Sequence, residues 1–376
     1  MGTDYKKRRR YKSPDGRHRT GRLSTFDKCI KDQIDYYRPS DKGWGALTIQ
    51  VELALDEQNK GKTIPSVKSI NNYLKEKERT GRRNKQVPLP FQSIFPAEQA
   101  HQLWQIDAEG NRHIDGIGTV SFINVKDVFS KTAVQIFPCQ LAGRYNHPTT
   151  IDYQRVIRLG MMQYGKCQSL QVDHDSIYFD NVNSSPFPTM LHLWLIGLGI
   201  EMCLTPKGQP QKQGTVERSH QTSSRQVLPP HKKFVNWSDL YQYCEYRRKR
   251  LNQDIPNRML NGKAPMVAYP QARHSETPYC PKKEMDSFNM KAIRQYLALT
   301  EWYRRVSNNK TITLANKIYS IGKAIPKEEL KITYCIENDA YLFHNAKGLI
   351  IDQKPSKGLN FNELSGKIEE FIEHFC

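Results

Sequence analysis

The chain has 376 residues, a length that predicts about two to four domains. Its 57 Lys and Arg against 38 Asp and Glu give a formal charge of +19, which favours a polyanionic partner through phosphate neutralisation and counterion release. No apolar run reaches the roughly 18–20 residues of a membrane-spanning helix, and no apolar signal segment follows the basic start. Eight cysteines without a C-x-x-C pair argue against a zinc knuckle or a disulfide framework. We therefore expect a cytoplasmic protein with no membrane partner.

The amino-terminal quarter of the sequence reads as a DNA-binding module. Residues 1–22 are rich in Lys and Arg and poor in apolar side chains, which predicts a disordered basic arm. Residues 23–87 carry three short helical patterns and a charged linker, with a glycine-containing turn between the second and third helices. This arrangement predicts a helix-turn-helix, and a three-helix bundle without DNA contact is the alternative. The outward residues of the third helix are candidate DNA contacts: Lys68, Asn71, Asn72 and Lys75.

The rest of the chain divides into an α/β core and a β-rich end. Over 88–270, β-rich runs come first and helical patterns then alternate with short strands, which predicts a layered α/β sheet. A linker is expected over 271–295. Short strands separated by turn signals predict a small β-barrel over 296–356, followed by one amphipathic helix over 357–376. The predicted fold class is thus multidomain α/β.

Three carboxylates of the core stand at the ends of secondary-structure elements. Asp107 ends the run Trp104-Gln105-Ile106, and Asp173 ends Leu170-Gln171-Val172. Glu217 opens a helix after a loop of Pro, Gly, Gln and Lys. Asp175 is an alternative to Asp173, although the direct continuation of the strand favours Asp173. Each residue also has an ordinary interpretation, since Asp often forms turns and Glu often complements a helix dipole.

Gathered at one sheet edge, these acids predict a divalent-metal site. Two ions about 3.5–4 Å apart activate the attacking oxygen and stabilise the leaving oxygen of a phosphodiester. Mg²⁺ is hard and prefers carboxylate ligands over Cys or His, and Mn²⁺ is the expected substitute. In a strongly basic chain, such a site predicts metal-assisted chemistry on DNA.

The motifs that carry these acids resemble a known family. Trp104-Gln105-Ile106-Asp107, Asp173 with Phe179, and Gln211-Lys212-Gln213-Gly214-Thr215-Val216-Glu217 look like the catalytic core of retroviral-integrase-like DDE transposases, and the amino-terminal helices look like the helix-turn-helix of bacterial insertion-sequence transposases. The usual Asp-Asn-Gly-x-Glu-Phe around the second acid reads Asp173-His174-Asp175-Ser176-Ile177-Tyr178-Phe179 here, with one extra residue and no glycine. The identity of the second acid therefore stays open.

The resemblance implies an RNase H-like core, with Asp107, Asp173 and Glu217 as catalytic residues and as ligands of two Mg²⁺ ions. It implies cleavage at transposon-end DNA and joining of the freed 3′-hydroxyl to target DNA. Double-stranded element ends and target DNA are then the partners of a homo-oligomer in the bacterial nucleoid, and an accessory ATPase is left open. Further candidate DNA contacts are basic residues near the third acid and on a later helix: Lys207, Lys212, Arg218, Arg247 and Arg248.

Two other functions compete with a transposase. A catalytically silent DNA-binding regulator derived from a transposase would keep the basic surface without the chemistry. A nuclease would cut DNA without joining it. Cleavage and strand-transfer assays separate the three.

Overall fold

The computed structural model describes residues 26–41, 43–80, 96–141, 146–205, 227–228 and 232–376. The predicted basic arm of residues 1–22 lies outside these ranges. The chain divides into two compact units, the first made of residues 1–87 with a short piece near 230 and the second made of the remainder. No helix in the described ranges combines the length and apolar character needed to span a bilayer.

The first unit contains three helices around a small core. They are α1 (Lys28–Tyr37), α2 (Ala46–Leu55) and α3 (Val67–Glu76). Asp27 caps α1 by accepting a hydrogen bond from the Cys29 amide at 2.9 Å, and Ser66 caps α3 through the Ser69 amide at 3.2 Å. The core residues recur at helical spacing: Ile30, Ile34, Trp44, Ala46, Ile49, Leu53, Ile70 and Leu74. Three helices are confirmed here, and a DNA-binding helix-turn-helix stays a prediction.

The second unit is built on a mixed five-stranded sheet with the order β3-β2-β1-β4-β5. Its strands are β1 (Leu103–Ile114), β2 (Gly118–Asp127), β3 (Ala133–Gln140), β4 (Ser169–Val172) and β5 (Glu201–Leu204). The first three strands are antiparallel, whereas β1, β4 and β5 run parallel. The helices that connect or cover them are α4 (Thr150–Tyr164), α5 (Met190–Leu198) and α6 (Trp237–Gln253). The predicted α/β class is confirmed, and this sheet fits an RNase H-like core.

Segment 271–295, predicted as a linker, contains ordered secondary structure. A short helix α7 (Pro265–Ala268) precedes it, and within and just beyond it lie α8 (Glu284–Ser287) and α9 (Met290–Ala298). Glu284 of α8 is fully buried and accepts two hydrogen bonds from Arg158 of α4, at 2.9 and 2.7 Å. Trp194 of α5 donates to the same carboxylate at 3.0 Å. This buried, charge-assisted network fixes the segment on the core.

The carboxyl-terminal strands form two sheets that share one apolar core. They are β6 (Trp302–Arg305), β7 (Thr311–Leu314), β8 (Lys317–Ser320), β9 (Glu329–Cys335), β10 (Ala340–His344) and β11 (Ile350–Pro355). Four of them pair in the order β11-β10-β9-β6, and β7 pairs with β8. Phe187 and Leu193 belong to the same apolar cluster as Trp302. Closure of these strands into a barrel stays a prediction.

The prediction of a single terminal helix over 357–376 is wrong in one respect, because the chain forms two helices there. They are α10 (Phe361–Leu364) and α11 (Ile368–Phe375). Gly366 between them has φ +61°, a left-handed conformation that interrupts the helix. Arg158 donates to the Ser365 carbonyl at 2.8 Å, and Gln154 donates to the Leu364 carbonyl at 2.7 Å. These bonds take the carbonyl groups that a continuous helix would use.

Candidate metal centre

Two of the three predicted acids lie on neighbouring strands of the core sheet, Asp173 directly after β4 as expected and Asp107 within β1, which continues to Ile114 instead of ending at this acid. Strands β1 and β4 are parallel neighbours, with Trp104 opposite Leu170 and Gln105 opposite Gln171. The same register, continued by two residues, places Asp107 opposite Asp173. Both side chains are partly buried. The tertiary structure therefore brings together two carboxylates that are far apart in the sequence.

The surroundings of the second acid differ from those of its alternative. Asp173 is partly buried, and burial is the main reason that its pKa lies above the ordinary value. Asp175 is exposed and accepts a hydrogen bond from the Ile177 amide at 2.9 Å. Its own amide donates to Asp173 Oδ1, also at 2.9 Å. Asp175 thus forms the turn that follows the strand, an arrangement that favours Asp173 as the ligand.

Two buried phenols lie within electrostatic reach of both acids. Tyr153 of α4 and Tyr178 stack edge to face, with ring centroids 5.3 Å apart. Burial raises the pKa of Tyr178, and the charges of Tyr153, Asp107 and Asp173 raise it further. Burial likewise raises the pKa of Tyr153, with further increases from Asp107, Asp175 and Asp173. Both phenols stay protonated at neutral pH, so their hydroxyl groups are available as neutral donors beside the carboxylates.

A buried row of polar side chains crosses the sheet two residues before the acids. Gln105 donates to Gln171 at 2.8 Å, and Gln171 donates to Thr205 Oγ1 at 3.2 Å. Thr205 donates to the Val172 carbonyl at 3.0 Å. Side chains two apart on a strand share a face, so this row joins β1 to β4 beside the positions of Asp107 and Asp173. The sequence carried a signal for it, a glutamine two positions before each acid.

The described acids suit a hard divalent cation. Both are oxygen donors with two lone-pair-bearing atoms each, which is the donor chemistry that Mg²⁺ prefers. Burial and the charge of Asp175 both raise the pKa of Asp173, and a bound cation would favour its ionised form. Over the described part of the chain, no group of three or more His, Cys, Asp or Glu side chains is placed to hold a metal. Glu217, the third predicted ligand, lies outside that part.

The candidate DNA contacts of the amino-terminal unit all face solvent. Lys68, Asn71, Asn72 and Lys75 are exposed on α3, while Ile70 and Leu74 of the same helix are buried. This distribution leaves a polar and basic helix face free of the unit's own core. The candidates Lys207, Lys212 and Arg218 lie outside the described residues.

Two of the predicted DNA contacts are corrected by the structure, which fully buries Arg247 and Arg248. Arg248 of α6 donates to the Tyr164 hydroxyl at 2.9 Å and to the side-chain Oε1 of Gln163 at 2.6 Å. It also pairs with Glu245 at 2.5 Å. A guanidinium enclosed in this way holds α6 on α4 and does not reach a phosphate. The basic residues around Arg247 and Arg248 lie on a helix, and the side chains of these two arginines are on its buried face.

Comparisons with known proteins give a weak but consistent likeness. No family model matches the chain. The HTLV-2 integrase catalytic core domain in complex with magnesium, in its trimeric form, matches with a TM-score of 0.34 and 13% identity, over 46% of this chain and 100% of that one. The catalytic core domain of BIV integrase matches with a TM-score of 0.32 and 16% identity, over 46% of this chain and 96% of that one.

Another match covers a larger share of the chain. The cryoEM structure of the simian T-cell lymphotropic virus intasome in complex with PP2A regulatory subunit B56 gamma has a TM-score of 0.38 and 12% identity, over 82% of this chain and 92% of that one. TM-scores below 0.5 carry no argument about chemistry. The chemistry of the site is therefore inferred from the residues of this chain.

Proposed function

We propose that the protein is a DDE-type DNA transposase or integrase, a polynucleotidyl transferase that cuts at transposon-end DNA and joins the 3′-hydroxyl to target DNA. The observation that carries the proposal is the parallel pairing of β1 with β4, whose register, continued by two residues, sets Asp107 opposite Asp173. The formal charge of +19 supports a DNA substrate. The loop motif that ends at Glu217 supplies a third carboxylate from the sequence.

In this proposal Asp107, Asp173 and Glu217 hold two Mg²⁺ ions, and Asp175 is the alternative to Asp173. Bound there, the ions supply charge stabilisation and an activated oxygen nucleophile. The sheet gives the carboxylates a rigid support, which the chemistry needs because misplacement of about 1 Å can cost roughly 100-fold in rate. The Gln105–Gln171 bond joins the two strands, and the buried Tyr153–Tyr178 pair lies within electrostatic reach of both acids.

Both chemical steps exchange one phosphodiester bond for another bond to phosphorus. In cleavage, a water oxygen bonds to phosphorus, the P–O3′ bond breaks, and the 3′-oxygen takes up a proton. In joining, that 3′-oxygen bonds to a target phosphorus while the P–O3′ bond of the target breaks. No protein nucleophile is consumed in either step. Pairing of two element ends argues for a homo-oligomer on DNA.

A strand-transfer assay tests the proposal. The DNA that flanks the gene supplies candidate inverted repeats, which are prepared as labelled duplexes, both intact and pre-cut at the 3′ end. With Mg²⁺ and a plasmid target, we expect the full-length protein to cut the intact ends and to join the pre-cut ones. Asp107→Asn and Glu217→Gln are expected to abolish both products while end binding persists in a mobility-shift assay.

The same assay identifies the competing functions. Binding without a nick from the unaltered protein would indicate a silent regulator. Cutting without joining, even from pre-cut ends, would indicate a nuclease. Either result would reject the transposase.

A further inference from the structure

The loop between β4 and α5 begins at Asp173 and is organised around another carboxylate, Asp180. Asp180 Oδ1 accepts hydrogen bonds from the amides of Val182 and Asn183, both at 3.3 Å. The Asn183 side chain donates to both carboxylate oxygens at 2.9 Å. The amide of Phe187 donates to Oδ2 at 3.2 Å. One carboxylate therefore holds three backbone amides of the second half of this loop.

An arginine from the carboxyl-terminal sheet completes this arrangement. Arg304 of β6 donates from Nη2 to Asp180 Oδ2 at 3.0 Å and from Nη1 to the Ser185 carbonyl at 2.5 Å. The Arg304 and Asp180 side chains are only 6% and 16% exposed. The two bonds come from the two terminal nitrogens of one planar guanidinium, so Arg304 holds both Asp180 and Ser185 of the loop.

Apolar packing joins the same loop to the same sheet. Phe187 is buried, and its ring centroid lies 4.7 Å from that of Trp302 on β6. The Tyr341 ring of β10 lies 6.0 Å away on edge. Phe187 thus belongs to the carboxyl-terminal apolar core, although the loop that carries it begins at the candidate metal centre.

Other hydrogen bonds join residues of the first half of the loop to one another, between Asp173 and Asn181. Asp173 accepts the Asp175 amide at 2.9 Å, and the Asp175 carbonyl accepts the Tyr178 amide at the same distance. The Asn181 side chain donates to the His174 carbonyl. The segment between Asp173 and the ion pair is therefore held in part by hydrogen bonds between its own residues.

The charge state of Asp180 suits this role. Burial raises its pKa, but the amide of Phe187, the side chain of Asn183 and the charge of Arg304 together outweigh that effect. The pKa of Asp180 consequently lies below its ordinary value, and the ion pair persists at neutral pH.

We propose that Arg304 is a positioning residue that holds the loop bearing Asp173, so that the carboxyl-terminal sheet is part of the unit that binds divalent metal. This inference rests on the proposed function, because it takes Asp107 and Asp173 as the ligands. It implies that the terminal sheet acts on metal affinity within one chain, separately from any contact it makes with DNA.

Metal affinity measured on the full-length protein tests this proposal. Mn²⁺ is titrated into unaltered, Asp107→Asn, Arg304→Gln and Arg304→Lys proteins, and the free ion is followed by electron paramagnetic resonance. We expect Arg304→Gln to weaken Mn²⁺ binding by about 10-fold, the size typical of groups that orient a ligand. Arg304→Lys keeps the charge but not the fork, so we expect a smaller loss.

A matched control separates a positioning role from a general loss of stability. Arg294→Gln breaks another ion pair of the carboxyl-terminal part, 3.1 Å between Arg294 and Asp339. We expect this variant to bind Mn²⁺ as the unaltered protein does. If Arg304→Gln lowers the melting temperature and leaves the Mn²⁺ affinity unchanged, the positioning role is overturned.

The outcomes also distinguish this inference from the proposed function. Binding of Mn²⁺ that is insensitive to Asp107→Asn would reject the metal centre itself, and the inference with it. Binding that needs Asp107 but ignores Arg304 would reject the inference alone. Should Arg304→Gln not fold, Arg304→Lys decides the matter, with amide exchange over 174–187 expected to accelerate and Mn²⁺ affinity expected to fall. Unchanged exchange and affinity in that variant would contradict the proposal.

Discussion

Gln105 donates from its side-chain Nε2 to the side-chain Oε1 of Gln171 at 2.8 Å, joining β1 to β4 two residues before Asp107 and Asp173. Both side chains are buried. A neutral amide pair adds no charge beside two carboxylates, and it links β1 and β4 at a position where their backbones are paired in the sheet. The spacing of Asp107 and Asp173 is thus fixed by a bond that neither acid makes.

Replacing either glutamine by methionine is expected to destabilise the fold and weaken metal binding. Gln105→Met or Gln171→Met leaves a buried amide without its partner, at a cost of about 1–3 kcal/mol in the free energy of unfolding. The double variant is expected to cost less than the sum of the single variants, by about 1 kcal/mol. Urea unfolding of all four proteins measures the coupling, and strictly additive costs would contradict it.

The choice between Asp173 and Asp175 has a direct mutational test. Asp173→Asn is expected to abolish strand transfer, because it removes a carboxylate ligand at the strand end. Asp175→Asn keeps an oxygen that can accept the Ile177 amide, so we expect activity within about 10-fold of the unaltered protein. Side-by-side strand-transfer assays in Mg²⁺ and Mn²⁺ measure both. The reverse pattern would move the ligand assignment to Asp175.

The exposed lysines of α3 are expected to contribute to DNA binding through phosphate contacts. Lys68→Gln and Lys75→Gln should each reduce the slope of log K against log salt concentration by about 0.9, since each contact releases a condensed counterion. Thermal stability should stay nearly constant, because both side chains are exposed. Fluorescence anisotropy across a salt series gives the slope. An unchanged slope in the double variant would remove α3 from the DNA interface.

Arg248 is expected to behave in the opposite way. Arg248→Gln leaves Glu245 without its partner and takes a donor from Tyr164, so we expect a loss of about 3 kcal/mol in the free energy of unfolding. The salt dependence of DNA binding by the folded protein should not change. Denaturant unfolding and the same anisotropy series measure the two quantities, and a smaller salt slope would restore Arg248 as a phosphate contact.

His192 predicts a specific sensitivity to acid. Burial lowers its pKa from 6.5 to about 4, and its ring packs 5.3 Å from that of Tyr296. The folded state therefore binds fewer protons than the unfolded state between these values. The stability contribution is fully present above pH 6.5 and is lost as the pH falls towards about 4, with an upper limit of about 3 kcal/mol.

His192→Gln is expected to flatten the dependence of melting temperature on pH across that window. The exposed His113, replaced in the same way, provides the control and should leave the profile unchanged. Differential scanning calorimetry from pH 7.5 down to 4 would check both variants. Parallel profiles for His192→Gln and the unaltered protein would contradict the assignment.

Local patterns in the sequence were sufficient for most elements of the core. The β-rich run at Trp104 and the short apolar run at Leu170 both form strands, since a buried strand needs only a few β-branched or apolar residues in succession. The helices over Thr150–Tyr164 and Met190–Leu198 also follow from apolar spacing. The register between strands does not follow from local patterns, because the position of Asp107 opposite Asp173 depends on how two segments distant in the sequence pair.

Errors arose where distant contacts override local signals. The cluster Arg247-Arg248 reads as a basic surface, yet Tyr164 and Gln163 on another helix turn it inward. The terminal amphipathic pattern reads as one helix, yet Arg158 and Gln154 take the carbonyls that would continue it. A predicted linker became ordered because Glu284 meets a buried arginine 126 residues away in the sequence.

The sequence by itself determined the chain's charge, most of the helical and strand segments of its core, and the three acids worth testing, since these depend on residue type and short-range periodicity. Only the tertiary structure decided which of those acids face each other, which arginines are enclosed, and that Arg304 reaches the loop after β4. These are matters of strand register and side-chain burial. They are fixed by the free energy of packing the whole chain, which cannot be read from any single segment of the sequence.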